Sequence, residues 1–256
     1  MMFAPCRILL GLLLSVTAAS IRIGAAETPA AVVAIQVRGT VGVLRGGAGA
    51  AEAVTEGRPL AATDIVTTAK GSSVVLVLEN GSVVSLRENS RLKIAAALQS
   101  PSATDAVAAT GAESAESGAS KSKFELEFGE MLVRVRKLNP TSTFEVQTPV
   151  SVAAVRGTVF EVSYRTDQAG PAQYRLSTVS GLVHVTPRGG ELVKVAADEQ
   201  MEFSARIRGK RVRIQPVKTT KLAPQKKAQL EKEAQDTERS AGNAAKRNQA
   251  PAKKKK

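Results

Sequence analysis

Between Ala31 and Phe203 the apolar positions recur with a period of two, not the 3.6 of a helix. The alternation is plain in Val74-Val75-Leu76-Val77-Leu78, Val83-Val84-Ser85-Leu86, Met131-Leu132-Val133-Arg134-Val135, Val159-Phe160-Glu161-Val162 and Leu182-Val183-His184-Val185. Short β-branched runs bounded by Gly, Asn or Pro are the pattern of strands separated by tight turns. The expected fold class is therefore all-β. Glu79-Asn80-Gly81-Ser82 is the clearest hairpin signal, and its Asn-Gly pair predicts a type I′ turn with two positive-φ residues. Gly followed by an alternating apolar pair recurs at Gly39, Gly81, Gly129, Gly157 and Gly181. The irregular intervals are not those of a strict solenoid. Two packings stay open, a short-stranded twisted β-helix-like stack and a sandwich.

Two segments break the pattern. Residues 99–122 are almost entirely Ala, Ser, Thr, Gly and Glu. Such a stretch buries too little apolar surface to offset its ordering entropy. It is expected to be a flexible insertion in a β-domain spanning 31–204, with an Ala-rich helix at 103–109 as the alternative. Beyond it, Arg206 to Val217 alternates basic and apolar residues and predicts a last edge strand. Pro224 to Arg239 has helical composition but only one strong apolar residue, so a helix there is marginal by itself. Residues 205–256 are therefore expected to form a basic, largely disordered or partly helical tail.

Charge sharpens this division. The chain has 256 residues and a formal net charge of +13. Ala205 to Lys256 carries seventeen Lys/Arg against four Asp/Glu, whereas Glu27 to Ser204 carries seventeen against nineteen. The body is near neutral and the basicity is local to the tail. Its end, Lys253, Lys254, Lys255 and Lys256, is the candidate polyanion-binding segment, for lipopolysaccharide, anionic lipid or wall carboxylates. No aromatic residue follows Phe203, so base stacking is not available there and nucleic acid is not an expected partner.

Residues 1–26 read as a cleaved signal peptide. Arg7 is the basic start, Ile8 to Val16 the apolar stretch, and cleavage is expected after Ser20 or Ala26. The apolar run falls short of the roughly 20 residues that cross a bilayer. The single cysteine, Cys6, lies within this leader, so the mature chain is expected to have no thiol chemistry and no transmembrane segment.

The densest motif is Thr148-Pro149 leading through Val150-Ser151-Val152-Ala153-Ala154-Val155 to Arg156-Gly157-Thr158-Val159-Phe160. Pro149 fixes φ and marks a turn. Gly157 permits a sharp bend or a close backbone approach. Val159 and Phe160 point to opposite faces, which predicts burial on both. Arg156 is expected to bond backbone carbonyls or a carboxylate and so staple the fold, with anion binding as the functional alternative.

This motif, preceded by Gly57-Arg58-Pro59-Leu60, Asp64-Ile65-Val66-Thr67-Thr68 and Val74 to Ser82, resembles the signature of the FecR domain family. The resemblance runs from Val32 to Phe203 and closes with Ser180-Gly181-Leu182-Val183-His184-Val185, where the family usually reads Glu-Gly-x-Val-x-Val. It implies a bacterial envelope module whose signature residues, Thr148, Pro149, Arg156, Gly157, Thr158, Phe160 and Gly181, are structural. In the family's prototype regulators the domain lies in the periplasm and communicates with an outer-membrane transporter, and a membrane helix links it to a sigma-factor-binding segment. Here a signal peptide is expected in place of that segment and helix.

Catalysis finds little support, and an envelope enzyme acting on carbohydrate is only a third reading. His184 is the only histidine and sits in a strand-like run. Asp64, Asp198, Glu199 and Glu202 have turn or edge spacing rather than that of a carboxylate pair. No phosphate-cradling loop or nucleophile elbow appears. No catalytic, cofactor-binding or metal-ligating residue is expected. The expectation is a periplasmic or secreted, non-enzymatic module that binds, scaffolds or senses in the envelope, with an envelope protein or a polyanion as partner. The alternative is a structural wall- or surface-associated protein held by its Lys-rich tail.

Overall fold

The computed structural model describes residues 28–100, 119–166, 170–209 and 211–249. The expected signal peptide, Cys6, the middle of the expected insertion (101–118) and Lys253–Lys256 lie outside the described residues. The first part of the chain forms β1 (Thr28–Pro29), β2 (Val32–Arg38), β3 (Val41–Leu44), β4 (Glu52–Ala53) and β5 (Pro59–Leu60). Then come β6 (Ile65–Thr68), β7 (Ser73–Leu78), β8 (Val83–Leu86), β9 (Ser90–Gln99) and the long β10 (Ser120–Arg134). The second part forms β11 (Thr143–Thr148), β12 (Ser151–Val155), β13 (Val159–Arg165), β14 (Ala172–Ser180) and β15 (Leu182–Pro187). It ends with β16 (Val193–Ala196), β17 (Glu199–Arg208), β18 (Arg211–Ile214), β19 (Lys218–Lys221) and a helix, α1 (Pro224–Gln249).

These strands make two sheets that share β10. In the first sheet, β4-β3-β6-β9 lie on one side of the front half of β10 and β11-β12-β15-β16 on the other. In the second, β5-β2-β7-β8 lie on one side of its rear half and β13-β14-β17 on the other, with β18 and β19 along the outer edge of β17. Residues before β10 thus build one flank of both sheets and residues after it build the other. The ladders branch at β10 and do not close into a ring. Only β10–β11 is parallel, so the packing is two facing sheets rather than a β-helix-like stack of parallel rungs. Val84, Leu92, Phe124, Leu126, Phe160 and Val183, drawn from both sheets, belong to one buried cluster.

Gly129 makes this possible. The β10 pairing passes from β9 to β8 and β13 there, and Gly129 has φ 107°. A Cβ on it would fall onto the side chain of Ser90 and within 2.5 Å of the Ser90 Cα. Glycine is required both for the bend and for the contact.

Three expectations need correction. The 99–122 insertion is narrower, because β9 runs to Gln99, β10 starts at Ser120, and the Ser100 N–H donates to the Ala119 carbonyl at 2.7 Å. The Asn80-Gly81 turn is not type I′. Only Gly81 has positive φ (78°), its N–H donates to the Leu78 carbonyl, and Asn80 instead accepts from the Ser82 N–H at 2.9 Å.

The third correction concerns order in the tail: the expected edge strand and a helix are both present, but the segment is not largely disordered over its described residues. Residues 205–208 complete β17, and 211–249 contain β18, β19 and a 26-residue helix. Leu230 and Ala234 of α1 are buried against Leu132, Val179 and Leu222 on the outer face of the second sheet. The two-sided burial expected at Val159 and Phe160 follows, since Phe160 faces the core and Val159 the helix. Ion pairs supply what α1 lacks in apolar surface. Buried Glu161 is held by Arg87 and by Lys226 of α1, each at 2.9 Å. Arg87 also bonds Glu130 and reaches Glu233 of α1 at 2.7 Å.

Asp64 is a second charged anchor. Burial works to raise its pKa, but N–H groups of Ala61 and Gly46 and the Arg45 guanidinium outweigh that and hold it below 3.8, the ordinary value. A depressed folded-state pKa stabilises the fold above pH 3.8 and loses that contribution as pH falls through the folded value.

Two outcomes are expected. Gly129→Ala should lower stability by about 3 kcal/mol, combining backbone strain with overpacking, read as a reduced urea midpoint. Asp64→Asn should lower stability at pH 7 by about 1–3 kcal/mol and flatten the stability–pH curve below pH 4, as followed by urea melts across pH.

Candidate functional site

At one end of the two sheets the chain crosses between them three times. Residues 135–142 lead from β10 to β11, Arg156-Gly157-Thr158 lead from β12 to β13, and Gly181 joins β14 to β15. The crossings are stitched together. The Val135 N–H donates to the Thr158 carbonyl at 2.8 Å. A Cβ on Gly157 would stand 3.2 Å from the Lys137 Cα, and one on Gly181 (φ 84°) would stand 2.6 Å from Thr158 Cγ2 and 2.7 Å from the Gly157 carbonyl oxygen. Gly181 therefore lets two crossings touch.

A cleft of about 830 Å³ opens beside this seam. Arg134, Arg136, Lys137 and Arg156 line it, with Leu138 and Val159 as apolar wall. Glu238 of α1 is the one carboxylate on its lining, and it is paired with Arg134 at 2.9 Å. Arg136, Lys137 and Arg156 are exposed and have no hydrogen-bonding or ionic side-chain partner among the described residues. The turn at Gly81 supports Arg136, whose Cδ would stand 2.7 Å from a Cβ there. The cleft thus offers three unpaired cations next to apolar surface, a setting for anionic groups.

The expected signature residues separate into three places. Gly157, Thr158 and Gly181 join at the seam with Arg156. Arg156 corrects its expectation: it is exposed and bonds neither a carbonyl nor a carboxylate of the described residues, because the turn directs it away from the packed backbone. Thr148 and Pro149 lie at the far end of β12, where the Thr148 hydroxyl accepts N–H bonds from Val150 (3.3 Å) and Ser151 (3.0 Å). Phe160 is fully buried in the core. Arg134, Arg136 and Lys137 were not singled out in the sequence, although Arg134-Val135-Arg136-Lys137 ahead of Pro140 was a readable basic run.

Each acidic candidate is engaged by a partner of its own. Asp64 bonds Arg45, Asp198 bonds Lys227 of α1 at 2.8 Å, and Glu202 bonds Arg175 at 2.7 Å. Glu199 caps the N–H of Ala196 at 3.0 Å. His184 is half-buried in β15, opposite Ala154 and Lys194. Among the described residues no cluster of His, Cys, Asp and Glu could hold a metal ion, and no helix is long and apolar enough to cross a membrane.

Residues 64–184 match the family model described as "FecR protein". The chain carries a FecR domain. The FecR match begins at the Asp64 anchor, takes in β10 and the whole cationic seam, and ends in β15. Among solved structures the chain is similar to a candidate anti-sigma factor from Parabacteroides distasonis, determined at 2.50 Å and at 1.65 Å. Each comparison has 18% identity and a TM-score of 0.44, covering 63% of this chain and 61% of that one. The chain therefore spans less than two thirds of that protein's length. No curated protein matches the chain.

Thr158 offers a test of the seam. Its hydroxyl is buried without a hydrogen-bond partner among the described residues. Thr158→Val should leave stability unchanged or raise it by up to about 1 kcal/mol, since it removes an unsatisfied polar group. The readout is the thermal midpoint.

Proposed function

We propose that this protein is a non-enzymatic, extracytoplasmic FecR-type module that binds a protein partner in the bacterial envelope, as part of sensing or scaffolding. The seam cleft is the docking point, and the partner presents an acidic segment with apolar flanks. The observation that supports this is the set of unpaired cations Arg136, Lys137 and Arg156 around a cleft with an apolar wall. A structural cation would be expected to find a carboxylate, as Arg134 does with Glu238. The charges left open are those an incoming acidic group would satisfy, and they steer association as well as holding the complex.

The signal peptide read from the sequence at 1–26 is what favours a periplasmic or secreted location for this reading. A tail held to envelope polyanions by Lys253–Lys256 is the other arrangement that the charge distribution favours, and one experiment separates the two. Full-length protein is used to capture partners from envelope fractions, alongside Arg136→Gln/Lys137→Gln/Arg156→Gln and, separately, a variant with all four terminal lysines changed to Gln. The seam variant should lose its protein partner by tenfold or more (on the order of one strong ion pair), whereas the tail variant should keep it. Equal capture by the seam variant would sink this reading, and loss in the tail variant alone would transfer the role to the tail.

A further inference from the structure

A second cationic feature lies away from the seam and plays no part in the proposed function. β17 and β18 form a hairpin in which Arg206 stands opposite Arg213 and Arg208 opposite Arg211, with Ile207 opposite Val212 between them. Directly opposed residues share a face, and the faces alternate along each strand. All four arginines therefore project from one side and the apolar residues from the other. Val212 and Ile214 pack against the core, while Ile207 is 42% exposed.

The hairpin also overhangs the sheet. The β14–β17 register stops at Ala172 opposite Ala205, so 206–208 lie beyond the reach of β14. The four arginines are exposed and have no partner among the described residues. Glu202, on the same face further along β17, is taken by Arg175. Like charges directly opposite one another destabilise a strand pair. Charges on an edge strand can block edge-to-edge pairing, but two opposed pairs go beyond that need and leave repulsion uncompensated.

We propose that this arginine ladder is a docking surface for the anionic phospholipid headgroups of a membrane. Cross-strand neighbours about 5 Å apart and same-strand neighbours about 7 Å apart present several guanidinium forks side by side, each suited to bidentate contact with a phosphate. Exposed Ile207, on the other face of the same projecting tip, adds apolar surface that a headgroup layer accommodates when the tip enters it edge-on. The projecting part of the hairpin, residues 205–214, has no aromatic ring, so it lacks the stacking platform that favours nucleic acid.

The test is co-sedimentation of the full chain with phosphatidylcholine vesicles, with and without phosphatidylglycerol. The wild type should pellet with the anionic vesicles and not the neutral ones, and added salt should release it. Changing Arg206, Arg208, Arg211 and Arg213 together to Gln should weaken partitioning by about a hundredfold or more, whereas changing the four terminal lysines to Gln should not. The Gln variant should melt no lower than wild type, because it removes repulsion. The chain has no tryptophan, so Ile207→Trp in the otherwise native protein supplies a single reporter whose emission should shift to the blue on anionic vesicles alone. Undiminished binding by the Gln variant, unchanged emission, or full displacement by a DNA duplex at equal phosphate concentration would each overturn the proposal.

Discussion

The architecture depends on one strand serving two sheets. β10 needs partners on both sides along its front half and a different pair along its rear half, and this demands a change of direction in the middle of a hydrogen-bonded strand. A residue with a side chain at position 129 would have to adopt φ near 107° and push into Ser90. With glycine there, the two halves of the chain can attach to either flank of a common spine, and their inward faces meet in a single core.

The crossings and the helix follow from that arrangement. With each half contributing to both sheets, the chain must repeatedly leave one for the other, and it does so through tight corners such as Gly181. The outer face of the second sheet also carries apolar residues, Leu132 and Val179 among them, that require a cover. α1 provides it with few apolar residues, so its seat depends on charge. Glu161 would be a costly buried carboxylate without partners, and it receives one cation from β8's end and one from the helix. The same ion network thus closes the sheet and positions Glu238 at the rim of the cleft.

Much of the β-structure was legible because alternation survives wherever one face is buried. Val74–Leu78 and Leu182–Val185 are strands as read. The front half of β10 was not read, although Ser122, Phe124 and Leu126 alternate with Lys123, Glu125 and Glu127, because the low-complexity stretch before it masked its beginning. The seating of α1 was not legible. Its one strong apolar residue, Leu230, predicts a marginal helix, and its ion pairs join residues as far apart as Arg87 and Glu233. The site was half legible: the Arg-Gly-Thr corner stood out, but which of its members packs and which faces solvent depends on the crossings from 135–142 and 180–181. Those contacts have no local signature.

The join between β9 and β10 has a bearing on how this fold can vary. Its strands are already paired out to Ser100 and Ala119, so their register is set by the ladder itself. Closure entropy grows only with the logarithm of length, about 0.6 kcal/mol for each doubling. Chain can therefore be added or removed there with little effect on register, and a foreign segment could be carried at this join without disturbing the spine.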